Sequence, residues 1–127
     1  MLPAHVRDLE RAAIWVTSWL DRLGATAVTP DSPVVAQVET SGKVVGIWVN
    51  TTVRLAGGRS LHIAVQLDAW LQARRYTFDL VASGQRLWGW HGHQEPVGFH
   101  HRHLPPTFTA SLAEPATFEE IEELLHA

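Results

Sequence analysis

The sequence predicts an α+β fold: an N-terminal helix packed on an antiparallel meander of about five strands, closed by a short C-terminal helix. Three patterns predict it. Apolar residues recur at helical spacing near the N-terminus. Alternating segments then follow one another across short glycine-containing turns. An acidic stretch with a capping signal ends the chain.

The first element spans roughly His5 to Leu23. Val6, Leu9, Ala13, Val16, Leu20 and Leu23 form one apolar stripe at three- and four-residue steps, and Trp15 and Trp19 lie one turn apart on its flank. Pro3 suits the entry and Gly24 the C-terminal stop. A helix covering a sheet is the expected arrangement. The two tryptophans are the first candidates for a dimer or partner surface. Ala25–Pro33, with Thr29, Pro30, Asp31 and Ser32, is a connector.

Val34–Thr40 reads as a strand and Ser41-Gly42 as a turn. Lys43–Leu55 is a long strand with Val45, Ile47, Val49, Thr51, Val53 and Leu55 on one face and Trp48, Asn50, Thr52 and Arg54 on the other. Ala56–Arg59 turns the chain. Leu61, Ile63, Val65 and Leu67 then alternate with His62, Ala64, Gln66 and Asp68. Ala69–Arg74 fits either a helical turn or a loop. Arg75–Ala82 and Gln85–His91 pair across Ser83-Gly84. Gly92–Pro106 is too rich in Gly and Pro for regular structure throughout, and Thr107–Leu112 reads as a last short strand. Thr117 and Glu120 form a capping box ahead of Phe118, Ile121 and Leu125.

At 127 residues, with 46% hydrophobic and 18% charged residues, the chain makes a single domain, residues 1–127, able to bury its own core. It has no cysteine, which excludes disulfides, thiolate metal sites and a cysteine nucleophile. The net charge of −3 disfavours nucleic-acid binding by itself, but five of the acids lie in the last 14 residues. Residues 1–113 carry ten basic and eight acidic groups. The most apolar stretch, Ala12–Leu20, is too short for a membrane span and is flanked by Asp8, Glu10, Asp21 and Arg22. The same acids argue against a signal peptide ending near Ala25-Thr26-Ala27. The expectation is a cytoplasmic protein without a membrane partner.

Chemistry concentrates in His91–His103, where five of the eight histidines fall within 13 residues. In extended chain, residues two apart share a face. His91 therefore neighbours His93, His101 neighbours His103, and His100 points away. Gly92 and Gly98 let the two clusters meet. Three readings stay open. Neutral imidazoles can hold Zn or Ni through His91, His93, His101 and His103, with help from Glu95 or Asp79. The same four can cleave RNA without a metal. One imidazole takes the 2′-hydroxyl proton, another protonates the leaving 5′ oxygen, and a cation stabilises the transition state. In that reading Arg102, with Arg86 second, binds phosphate. Arg74 and Arg75 extend the track, and Trp88 and Trp90 stack bases. The third reading is a polar surface loop. His5, His62 and His126 are isolated and read as surface. Trp88 and Trp90 share a strand face that by default packs in the core. A P-loop, a nucleophile elbow and a His-Glu-x-x-His zinc motif are all absent.

Over about residues 52–126, the order of these features resembles the TumE-type family of toxin–antitoxin proteins. Those proteins show a Tyr-x-Tyr/Phe strand, an Arg-Tyr-Asp-Asn stretch, a pair of His, a Pro-His-His-Lys-His segment and a final helix. Here Tyr76-Thr-Phe78 and His100-His101-Arg102-His103 take the corresponding places, with Arg for Lys. Trp90 stands at the Tyr of the second stretch, flanked by Gly89 for Arg, His91 for Asp and Gly92 for the first Asn. The resemblance implies a toxin neutralised by a cognate antitoxin protein. RNA cleavage is then an expectation by analogy. The combined expectation is an endoribonuclease toxin with no cofactor, using His91, His93, His101 and His103, with an antitoxin, RNA and a second copy of itself as candidate partners. The competing expectation is a non-enzymatic His-rich metal-binding or protein-interaction domain.

Overall fold

A computed structural model describes residues 1–23 and 32–126. Gly24, the proposed helix stop, and most of the Ala25–Pro33 connector lie outside the described residues. The elements run α1 (Leu9–Arg22), β1 (Val34–Val38), β2 (Val44–Arg54), β3 (Arg59–Asp68), β4 (Ala73–Ala82), β5 (Gln85–Gly92), β6 (His100–His103), β7 (Ala110–Leu112) and α2 (Phe118–Leu125). All seven strands form one antiparallel sheet in sequence order. The meander is thus as expected, with seven strands rather than five. Among the described residues no helix is long and apolar enough to cross a membrane.

Two of the differences have local causes. The helix starts at Leu9, four residues later than the expected His5, because Asp8 caps it, accepting from the Arg11 amide at 2.8 Å. β6 forms within a segment whose glycines and prolines suggest loop. Pro96 and Gly98 sit in the β5–β6 turn, where the Gly98 amide donates to the Glu95 carbonyl at 3.1 Å. Pro105 and Pro106 follow the strand, so His100–His103 is left free to pair. The Ala69–Arg74 ambiguity resolves into a tight turn. The Asp68 carboxylate accepts from the amides of Trp70 and Gln72, and β4 begins at Ala73.

One sheet face is apolar and both helices lie on it. Ile47, Val49, Val53, Leu61, Ile63, Val65, Leu67, Phe78 and Leu80 are buried there against Ala12, Val16, Trp19 and Leu20 of α1 and Phe118, Ile121 and Leu125 of α2. Trp19 corrects one expectation. It is fully buried, with its ring 4.9 Å from that of Phe118, so it faces the core and not a partner. Trp15 is half-buried, with its ring 5.7 Å from that of Phe118. The α2 cap forms as read, with Thr117 Oγ1 accepting from the Glu120 amide at 3.1 Å.

Among the described residues the opposite face carries no helix, and it is polar. Trp48, Asn50, Thr52 and Arg54 of β2 share it with His62 and Gln66 of β3 and Arg75, Thr77 and Asp79 of β4, as the cross-strand register requires. β5 and β6 continue this face with histidines.

Candidate functional site: a histidine face on the open sheet

The β5–β6 register places His91 directly opposite His101 and Gly89 opposite His103. Alternation then sends His91, His101 and His103 to the open face and Trp90 and Arg102 to the helix side. His93 joins the cluster from the first residue of the turn, where its amide donates to the Phe99 carbonyl at 3.0 Å. Ring centroids are 4.7 Å apart for His91–His103, 4.6 Å for His93–His101, 5.2 Å for His101–His103 and 5.5 Å for both His91–His93 and His91–His101. The four imidazoles make a contiguous quartet. His91 and His101 are buried at its centre, and His93 and His103 are half-exposed on either side.

Each ring has one nitrogen committed to an oxygen. His91 Nε2 donates to Asp79 Oδ1 at 2.9 Å. His103 Nδ1 donates to the Phe108 carbonyl at 2.8 Å. His101 Nδ1 is shared between the Gly98 and Phe99 carbonyls, each at 3.2 Å. His93 Nδ1 lies 3.2 Å from the Gln94 carbonyl. Carbonyls and a carboxylate only accept, so each of these nitrogens carries a proton, and in the neutral ring the other nitrogen is the one with the lone pair. His101 Nε2 is buried with no hydrogen-bond partner among the described residues. One ligating nitrogen from each of His91, His93 and His101 can be chosen so that all three lie within 4.8 Å of one another.

Asp79 organises the site from β4, where it stands opposite Gly89. It pairs with Arg86 at 3.2 Å as well as with His91. Burial pushes its carboxyl up, but the His91 hydrogen bond, together with the charges of His91, Arg86 and His103, holds it below its ordinary value. His101 is lowered chiefly by burial, with His93 and His91 adding to that against the pull of the Gly98 and Phe99 carbonyls. It is therefore neutral at physiological pH.

Gly89 is what leaves room for this pairing. A Cβ there would meet Asp79 Oδ1 at 2.5 Å and His91 Nε2 at 3.1 Å. Gly89→Ala is expected to displace the carboxylate and break the Asp79–His91 bond while the sheet stays folded. Imidazole 15N NMR reads this directly: the hydrogen-bonded His91 Nε2–H signal of the wild type disappears in the variant.

The remaining expected residues divide by face. Arg86 lies beside the histidines. Arg102 does not: its guanidinium stacks 4.7 Å over Trp90 on the helix side, in a cleft shared with Glu120 and Glu123. Trp88, opposite Leu80, also packs on the core side. Trp90 is buried there and donates its Nε1–H to the Glu114 carbonyl at 3.0 Å. Arg74 pairs with Asp68 at 2.7 Å in the β3–β4 turn, whereas Arg75 is exposed on the open face. His100 points away as expected. The Ala116 amide donates to the Tyr76 hydroxyl, which lies 2.7 Å from His100 Nδ1. Burial lowers the His100 pKa against the pull of Glu114. Gly92 packs under this tyrosine, where a Cβ would overlap the ring. Asp79, one of the two acids that the sequence offers as helpers, is brought to His91 by the pairing of strands, and Trp48 is an open-face residue that histidine spacing does not single out.

A polar face with a fixed-tautomer histidine quartet, backed by a two-helix layer, defines a small α+β protein with a surface site. The family model for toxin TumE matches residues 26–127, farther toward the N-terminus than the motif resemblance alone. The chain belongs to the TumE toxin family, and so is the toxin component of a toxin–antitoxin system. No curated protein and no solved structure matches it.

Proposed function

We propose that this toxin cleaves RNA on the open sheet face by metal-independent acid–base catalysis. The observation that carries the reading is the pair His93 and His103. Both are half-exposed, each has its Nδ1 held by a backbone carbonyl so that Nε2 is the proton-transfer atom, and they flank two buried imidazoles. One of the pair, neutral, takes the proton from a ribose 2′-hydroxyl. The 2′ oxygen then attacks phosphorus and the bond to the 5′ oxygen breaks. The other member, protonated, supplies that oxygen with its proton. His91 and His101 are too buried to touch RNA and act as positioning residues, with Asp79 fixing the His91 tautomer.

The cation beside the site is Arg86, and Arg75 and Arg54 extend positive charge across the same face. Half-buried Trp48 supplies an aromatic surface there in place of Trp88. The antitoxin is the protein partner, and it would act by covering this face.

Incubation of the purified toxin with total RNA in excess chelator tests the reading. Cleavage that persists under chelation is expected. Intact RNA after incubation with protein shown to be folded overturns it.

A further inference from the structure

We propose that the quartet is also a binding site for one divalent transition-metal ion of the zinc class, with His91, His93 and His101 as ligands. One nitrogen from each of these residues can be chosen so that the three lie within 4.8 Å of one another. Zinc–imidazole bonds of about 2.0–2.1 Å place tetrahedral ligand nitrogens about 3.4 Å apart. The rings must therefore draw closer to bind an ion, and half-exposed His93, at the start of its turn, has the most room to rotate.

Two further observations point to an ion. First, every ring's other nitrogen donates to a carboxylate or a backbone carbonyl. That outer shell orients histidines in metal sites and fixes which nitrogen ligates. The ligating atoms are then His91 Nδ1, His93 Nε2 and His101 Nε2. Second, His101 Nε2 is an orphan acceptor in a fully buried side chain. Leaving such an atom without a partner is costly, and a metal bond satisfies it. His103 Nε2 is available at the edge as a fourth ligand, or water takes that position. An all-imidazole set suits Zn, Ni or Cu(II), and it excludes Mg and Ca, which need oxygen ligands.

The ion would occupy the His93 lone pair. On the proposed nuclease reading it therefore restrains cleavage; the binding itself does not depend on that reading.

Titration of chelator-treated protein with CoCl2, followed by displacement with ZnCl2, tests the site. A visible absorption band saturating at about one equivalent is expected, of the intensity typical of low-coordinate cobalt. Asp79→Asn should weaken binding by about 10–100-fold, and His93→Ala, which removes a ligand, by more than that. His62→Ala, on the same face but outside the cluster, should bind as the wild type does. His93 is half-exposed, so its variant keeps the fold, which circular dichroism checks. Saturation unchanged in both His93→Ala and Asp79→Asn, or no cobalt band at all, overturns the site. RNA cleavage is read separately. Cobalt binding without cleavage in any state leaves the site standing and removes the nuclease reading; cleavage without metal binding does the reverse.

Discussion

Replacing His103 or His93 with alanine is expected to lower RNA cleavage by about 10²–10⁴-fold, the usual worth of a positioned proton-transfer group. That corresponds to about 2.7–5.5 kcal/mol of transition-state stabilisation. Both side chains are half-exposed, so neither variant should unfold. The informative comparison is with the adjacent residue. Arg102 sits between His101 and His103 in sequence but on the other side of the sheet, over Trp90. Arg102→Ala should therefore cleave RNA at close to the wild-type rate and lose only its packing on Trp90, on the order of 1 kcal/mol. Cleavage rates of the three variants on one oligonucleotide, with thermal melts alongside, check this. An Arg102 variant as inactive as His103→Ala would contradict the face assignment.

The largest stability effect is expected at Trp19. Its ring is fully buried against Phe118, and Phe118 meets Phe78 of β4 edge-on at 5.8 Å. One side chain thus joins both helices to the sheet. Trp19→Ala should cost about 3–5 kcal/mol, from lost apolar transfer and the cavity left behind. That is a large part of the 5–15 kcal/mol that holds a domain of this kind together. Trp19→Phe should cost far less, under about 1.5 kcal/mol. The indole Nε1–H is buried without a partner among the described residues, so removing it also removes a desolvation penalty. Urea unfolding of the two variants gives both numbers. A Trp19→Ala protein as stable as the wild type would mean that the helix does not pack as described.

The fold was legible where period and punctuation agree. The alternation from Val44 to Asp68 predicts both faces of β2 and β3, and Thr117 with Glu120 predicts the start of α2. Trp19 was misplaced because a stripe drawn through Leu9, Ala13 and Val16 puts it on the flank. The helix in fact turns Ala12, Val16, Trp19 and Leu20 inward, and only the packing of α2 against it shows why. In the site, same-face spacing within each histidine pair could be read directly. How the pairs meet could not, because it depends on the His91–His101 register of a hairpin whose second strand is masked by surrounding prolines and glycines. The side taken by Arg102 follows from that same register. Asp79 lies 12 residues before His91 in the chain and reaches it only through the β4–β5 pairing.

On the proposed nuclease reading, imidazoles and not an activated water carry out the cleavage. The end groups of the RNA products test it most directly. Attack by the 2′ oxygen predicts a cyclic 2′,3′-phosphate on one fragment and a 5′-hydroxyl on the other, in the presence of chelator. Fragments bearing a 3′-hydroxyl and a 5′-phosphate would show that water attacked phosphorus, and would contradict the proton-transfer role assigned to His93 and His103.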